Sequence, residues 1–485
     1  MKTNYPLTLL GTGSERVLLR QEEREHLHIC GTTNEGKSKF LEYLMRKDID
    51  EGRGFCFLDP SEMGKTLYDV LRYCYAKKIK KVCLIDTFHR YQFNTVPIIN
   101  PFHKSYKAAS VAHVMETIQT VFGQKDSADT PRINKYLPSI LKILWASKST
   151  LSDSVYFSHR NYVHQRCEMY EDLDTLDRDV MTVEDMYRTV YSEKELQSTI
   201  NRLQPFFEDT LSLIFGHTVG INFPKMISEG WVILVNLYSG FGFNTVHTRL
   251  LGTTIINEII FALDRLSIHG WKGKYDLYID EAGRYANRNL ADLLAYKRKS
   301  GLRVTIAHQY FDQFEDKYVL DAVNNLCKLK VAFYIPNRQD RDFVVRMLYG
   351  GELADRDVSY VLSSQKKQYA VIKKPKKSPI VARIPDVPSI DLPKGLLERY
   401  IMNIYTYPWY KTPKEVQESI NDRFSPPKNP QRPQSRKAPH RAPTGKVAVP
   451  KRAPERFEEP RVPAGDETPQ EKRTRKDKSK GPIRI

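Results

Sequence analysis

Residues 28–40 read HICGTTNEGKSKF. Gly31 and Gly36 stand with four residues between them and are followed by Lys37 and Ser38, the spacing of a loop that wraps a phosphate in backbone N–H groups. The preceding HLHICG (26–31) reads as a short buried strand that feeds the loop, and the following KSKFLEYLMRKDIDEG puts Phe40, Leu41, Leu44 and Met45 at helical spacing. Strand, glycine loop, helix is the setting such a loop requires, because the helix N-terminus adds its own positive end to the anion site. The expected nucleotide-binding residues are Gly31, Thr32, Thr33, Asn34, Glu35, Gly36, Lys37, Ser38 and Lys39. Lys37 would neutralise the β and γ oxygens, and the Ser38 hydroxyl would ligate Mg²⁺. Lys39 could still offer its backbone N–H, while its side chain reads as a solvated charge. A second GKT, Gly64–Thr66, is no phosphate loop, since Asp59 stands where the first glycine would be needed.

Working outward, GFCFLDP (54–60) and KVCLIDTF (81–88) are apolar runs, each followed directly by an aspartate, with a helical stretch between them. Buried strands alternating with helices predict an α/β fold with a parallel sheet, whose ligands gather at the carboxyl ends of the strands. From Lys104 to Leu211 strand signals vanish. AASVAHVMETIQTVFG, INKYLPSILKILWAS, TVEDMYRTVYS and EKELQSTINRLQPFF all carry apolar residues at three- and four-residue spacing, which predicts an inserted all-helical domain. Strands resume at GWVILVNLYSG (230–240), and YDLYIDEAGRY (275–285), NLADLLAYKRKSGLRVTIAHQ (289–309) and LCKLKVAFYIP (326–336) follow a long helical stretch. Short strands, QYAVIKK and PIVARIP, come next. The expected organisation is 1–103 and 212–393 for the two parts of one nucleotide-binding domain, 104–211 for the insert, 394–424 for a helical segment and 425–485 for a tail.

Hydrolysis needs a second acidic site. LYIDEAG ends a strand in Asp280 and Glu281, where Asp280 could hold the metal's water shell and Glu281 could polarise the attacking water. Paired acids at a strand end also occur as plain turn residues. LRVTIAHQ ends in Gln309, an amide that could report the γ-phosphate or simply satisfy a loop. Arg298, just before that strand, reads as a surface charge or as an arginine finger reaching a neighbouring subunit. The HGWKGKYD turn (269–276) is basic and aromatic, and reads as a surface turn or a nucleic-acid contact. No N-K-x-D guanine motif is present, NKYL at Asn134 lacking its aspartate, so the expected nucleotide is ATP, with Mg²⁺.

The 485 residues carry a formal charge of +18, which suggests a polyanionic partner. From Ser425 onward there are 17 Lys and Arg against 7 Asp and Glu, and 12 of the 28 prolines, so this basic tail is expected to be disordered. Six cysteines are scattered without a C-x-x-C pair, arguing against a disulfide framework or zinc knuckle. WVILVNLYSGFGF, from Trp231, is the longest apolar run and falls short of the roughly 20 residues a membrane span requires. With no secretory signal either, the expected location is the cytoplasm.

The strings HICGTTNEGKS, GFCFLDP, LIDTFHRYQFNTVPIINPF, GWVILVNLYSGFG, LYIDEAGRYAN, LLAYKRKSGLRVTIAHQYFDQF and NNLCKLKVAFYI, in this order, resemble the HerA/FtsK superfamily, and within it the coupling-protein-like ATPases of conjugative type IV secretion. The resemblance spans residues of about 24 to 350 and implies a RecA-like P-loop sheet in a ring-forming, usually hexameric, motor that pulls DNA through a channel using ATP. It implies Asp280 and Glu281 as the Walker B pair, Gln309 as the γ-phosphate sensor and Arg298 as the finger across the subunit interface. It also implies a secretion channel, relaxase or nuclease as partner, with recruitment to the inner face of the membrane. A HerA-type motor working with a nuclease, or a secretion ATPase acting on protein, shares the same site. Two departures stand out: Asn34 and Glu35 replace the family's frequent Gly and Ser, and the membrane anchor typical of coupling proteins is not read here.

Overall fold

The strand at residues 26–30, which feeds the loop and the helix ending at residue 50, lies inside a sheet of eleven strands among the described residues. The computed structural model describes residues 7–11, 16–19, 25–103, 106–122, 131–158, 192–240, 242–285, 288–314, 316–349 and 356–424. The expected helix TVEDMYRTVYS, Ser192 apart, and the whole 425–485 tail lie outside them.

The strands are β1 (Leu7–Gly11), β2 (Arg16–Leu19), β3 (His26–Cys30), β4 (Phe55–Asp59), β5 (Val82–Asp86), β6 (Val96–Pro97), β7 (Val232–Asn236), β8 (Tyr275–Ile279), β9 (Leu302–His308), β10 (Leu329–Ala332), β11 (Tyr369–Lys373), β12 (Ile380–Arg383) and β13 (Tyr410–Lys411). The large sheet runs β2-β1-β12-β11-β10-β3-β9-β8-β4-β7-β5. From β10 to β5 every pairing is parallel. From β10 to β2 every pairing is antiparallel. The sheet is therefore mixed rather than wholly parallel. All residues of β3, β4, β5, β7, β8 and β9 are buried, as expected of parallel strands covered on both faces.

The helices used below are α1 (Lys37–Asp50), α2 (Lys65–Ala76), α3 (Lys107–Phe122), α4 (Pro131–Ala146), α5 (Ser192–Leu203), α6 (Thr245–Ile268), α7 (Arg288–Tyr296), α8 (Leu396–Ile404) and α9 (Pro413–Phe424). The apolar stripe read on α1 is what it buries: Phe40, Leu41, Leu44 and Met45 are fully enclosed. Each is the kind of large side chain whose burial contributes about 1.5–3 kcal/mol. Between β6 and β7 the described elements are all helical. Here Asn257 of α6 donates to the Thr117 hydroxyl of α3 at 3.0 Å.

The segment after Arg383 works as a strap over the β5 side. Tyr400 donates to the Ile79 carbonyl at 2.6 Å, and the Tyr410 hydroxyl takes the Leu84 N–H at 2.8 Å. β13 pairs with β6, and Arg423 of α9 holds buried Asp153 at 2.9 Å and the Gly216 carbonyl at 2.7 Å. Such cover relieves an exposed sheet edge of its unpaired backbone groups. The 394–424 region is thus two helices with a short strand between them. Among the described residues no helix is long and apolar enough to cross a membrane.

Candidate nucleotide site

Register decides the site. Cys30 pairs with His308, Ile279 with Ile306, and Leu58 with Ile279. The loop after β3, Asp280 after β8, Gln309 after β9 and the segment after β4 therefore leave the sheet side by side at its carboxyl edge.

The phosphate loop is shaped by Phe333, just beyond β10. Gly31 has φ +142°, and a Cβ there would stand 2.6 Å from the Phe333 Cβ. Gly36 has φ +118° and would crowd the Phe333 ring at 3.2 Å. Both glycines are needed on both counts, conformation and space. The loop is pinned by Phe333 N–H to the Cys30 carbonyl (2.8 Å) and by Thr32 N–H to the Tyr334 carbonyl (3.0 Å). Its other side is closed by Gln368 N–H on the Glu35 carbonyl at 3.1 Å. Glu35, the departure from the family's habit, thus serves the loop through its backbone, and its side chain does not line the cleft.

Lys37 is buried and donates to the carbonyls of Gly31 (2.6 Å) and Thr32 (2.7 Å). Burial lowers its pKa, opposed by the charges of Asp280 and Glu281. The Ser38 hydroxyl donates to Asp280 at 3.3 Å. Burial, with the charges of Asp59 and Glu281 added, raises the Asp280 carboxyl to about 7. A hydroxyl beside a buried carboxyl that lacks a cationic hydrogen-bond partner here is a donor set that fits Mg²⁺, a hard cation taking oxygen ligands.

Gln309 closes the site. Its amide donates to the Glu281 carboxylate, and its carbonyl accepts the Thr33 hydroxyl at 2.9 Å. Phosphate loop, acidic pair and amide are thereby one connected constellation. Asn34 and Lys39 line the same cleft of about 400 Å³, and Lys39 is paired with Glu42 (2.6 Å) and Asp69 (3.1 Å).

Arg298 is elsewhere. It is 47% exposed and bonded to Glu25 at 2.7 Å, at the amino ends of the strands, on the opposite edge from the cleft.

Residues not expected at the site from the sequence complete the walls: Ser61, Glu62, Lys65, Thr66, Lys367 and Gln368. The GKT at 64–66 is not a second phosphate loop, yet it faces the first across the cleft. Asp59 shapes that wall by accepting the N–H groups of Ser61 (2.9 Å) and Leu67 (2.8 Å). The aspartate that ends β5 stands apart from the cleft. Asp86 accepts from Tyr68 (2.7 Å), Asn236 (2.9 Å) and the Phe88 N–H (2.8 Å), a satisfied network of its own.

The fold of this sheet is that of the plasmid coupling protein TrwB. Among solved structures the chain is similar to the plasmid coupling protein TrwB in complex with the GTP analogue GDPNP, with a TM-score of 0.55, 14% identity and cover of 77% of this chain and 88% of that one. TrwB in complex with ADP and Mg²⁺ gives a TM-score of 0.55 at 13% identity, covering 80% and 96%. VirB4 of Thermoanaerobacter pseudethanolicus gives 0.49 at 14% identity, covering 78% and 96%. No protein-family model and no curated protein matches the chain.

Proposed function

We propose that this protein is an ATPase that assembles as a ring, of six copies by the sequence resemblance, and translocates DNA as a coupling-protein-like motor of conjugation or type IV secretion. The observation that carries the hydrolytic part is the pair of contacts Ser38–Asp280 and Thr33–Gln309–Glu281, which joins phosphate loop and acids at one strand edge. Lys37 leaves its two loop carbonyls to meet the β and γ oxygens. Ser38 and Asp280 would hold Mg²⁺, which would supply neutralisation of phosphate charge. Glu281 orients and polarises the attacking water once Gln309 turns its amide to the γ-phosphate. Arg298 acts on the site of the adjacent copy.

The DNA part is supported by the +18 charge and by the ordered strings of the sequence resemblance. In this reading 104–211 is a helical domain inserted into a RecA-like domain formed by 1–103 and 212–393. The 394–424 segment straps it, and the basic 425–485 tail meets a partner such as a channel protein, relaxase or nuclease. Work in the cytoplasm, with recruitment to the membrane's inner face by partners, goes with it.

The test is ATP turnover of the full chain with and without single- and double-stranded DNA. DNA should raise the rate, and Lys37→Ala or Glu281→Gln should abolish it while the fold is retained. A rate indifferent to either form of DNA, with secretion components recovered in its place, would favour an ATPase acting on protein. Recovery of a nuclease would favour DNA end processing.

A further inference from the structure

The carboxyl edge of the sheet carries a second cavity beside the nucleotide cleft. The register lines up Asp59, Asn236 and Asp86 as the last residues of β4, β7 and β5. Asp59 shapes the wall of the nucleotide cleft, whereas Asn236 and Asp86 line a separate cavity of about 320 Å³. Its size is that of a small-molecule site, and it lies at the edge where ligands of α/β sheets gather.

The two cavities share a wall. Ser61, Glu62, Lys65 and Thr66 line the nucleotide cleft, while Met63, at φ +51° and 53% exposed, lines the second cavity. Gly64 passes so close to the Asn236 amide that a Cβ there would stand 3.2 Å from it. α2 continues the division. Its Asp69 lines the first cleft, its Tyr68 and Arg72 line the second, and Arg72 bonds Asp69 at 2.9 Å. Another side of the second cavity is the strap helix α8, through Leu397, Glu398 and Ile401.

The chemistry of this cavity follows from Asp86. Its side chain is buried, and it accepts hydrogen bonds from the Tyr68 hydroxyl, the Asn236 amide and the Phe88 N–H, all neutral donors. His89 lies beside it, with Nε2 4.0 Å away. Tyr68 gives its single hydrogen to Asp86, so at 2.7 Å it accepts the His89 Nε2–H, and His89 Nδ1 is left to accept from the Tyr405 hydroxyl. The ring is thus neutral, in keeping with the burial that lowers its pKa. Arg72, the cation that lines the cavity, is turned to Asp69. The hydrogen bonds of Asp86 are therefore met, while its charge has no cation against it among the described residues. Glu398, exposed, adds a second acid, and Met63, Phe88, Leu397 and Ile401 supply apolar surface. Two acids over apolar and aromatic walls complement ammonium groups on a hydrocarbon stem.

We propose that this cavity binds a small organic diamine, one ammonium at Asp86 and the other toward Glu398, and that the bound charge strengthens nucleotide binding across the shared wall. Positive charge on one side of that wall attracts a triphosphate on the other, and such coupling is reciprocal. The diamine site stands on the cavity itself, and its effect on the nucleotide rests on the ATPase reading above.

The experiment titrates diaminobutane into the nuclease-treated full-length chain by calorimetry, with butanediol as the uncharged control and sodium chloride at matched ionic strength. Diaminobutane should bind and butanediol should not. Asp86→Asn should weaken the diamine about tenfold or more, and Glu398→Lys about threefold, with thermal melts reporting whether each variant folds. Where Asp86→Asn does not fold, Glu398→Lys decides, because its side chain is exposed. In the parent, diaminobutane should tighten the binding of a non-hydrolysable ATP analogue about fivefold, and this gain should shrink in the variants. No diamine binding, equal binding of butanediol, or parent affinity in the folded variants overturns the site. An unchanged analogue affinity overturns the coupling, as does a gain that the variants keep in full or that sodium chloride reproduces. If the analogue does not bind at all, the ATPase reading falls, while the calorimetry still decides the site.

Discussion

Gln309 touches both the glycine loop and the acidic pair: it donates to Glu281 and accepts from Thr33. In the proposed mechanism Gln309 holds the carboxylate that would polarise water, and its amide would turn to a phosphate only by releasing Glu281, so recognition and activation would be two ends of one switch. Gln309→Ala should leave ATP affinity within about threefold of the parent and lower turnover by about 100-fold, the range set by losing one positioned donor. Steady-state kinetics separate the two. A rise in KM with turnover unchanged would mean that Gln309 only shapes the cleft.

Gly31 tests the loop's packing. Its φ of +142° is disfavoured for any side chain, and a Cβ would sit 2.6 Å from that of Phe333. Gly31→Ala should abolish nucleotide binding and cost about 1–3 kcal/mol of stability. Gly52, also at positive φ but with open space around it, is the control: its alanine variant should bind ATP normally. Fluorescent-nucleotide titration and thermal melts distinguish the outcomes.

Some of this is legible in the sequence. FCFL and VCLI read as buried strands because parallel strands covered on both faces are near-continuous apolar runs, whereas HLHIC carries two buried histidines and is placed by the glycine loop it feeds. Gly31 and Gly36 announce their loop because spacing alone states the requirement. LTLLG and RVLL of β1 and β2 give no such signal, being four or five residues long in an antiparallel extension that needs no continuous apolar run. Lys367 and Gln368 reach the cleft from more than 300 residues downstream of the loop, through a backbone bond to Glu35 that no spacing encodes. Arg298 is readable as a cation before a strand. That it sits on the far edge from the cleft follows only from strand direction and register.

Arg423 tests how firmly the strap holds the helical region. It bonds the Asp153 carboxylate and the carbonyl of Gly216, while Asp153 has no exposure to solvent. Arg423→Ala leaves that carboxylate buried without its cation, and should cost about 3 kcal/mol or more. Adding Asp153→Asn should recover part of the loss. Denaturant titration of the single and double variants measures the coupling, and additive losses would show that the pair is not the link.

A buried histidine pair should weaken the fold in acid. His308 Nδ1 lies 3.2 Å from the Tyr310 carbonyl, which only accepts, so that nitrogen carries the proton. Its Nε2 is then the acceptor for His28 Nε2–H at 2.6 Å, across β3 and β9 directly beneath the loop and Gln309. Both rings are neutral in this arrangement. Burial lowers His308 to about 3 and pushes His28 well below its ordinary value. Below pH of about 6.5 the unfolded chain takes up protons that the folded chain refuses, so this stability is fully present above 6.5. It is lost as pH falls toward the folded values, by up to about 1.4 kcal/mol per pH unit for each ring. His308→Gln removes one of those protons from the balance and should flatten the decline between pH 6.5 and 4.5 by about that slope. Urea midpoints of parent and variant at several pH values give the difference directly. If the two lose stability in parallel, other groups govern the acid response, and the pair serves only to pack the two strands.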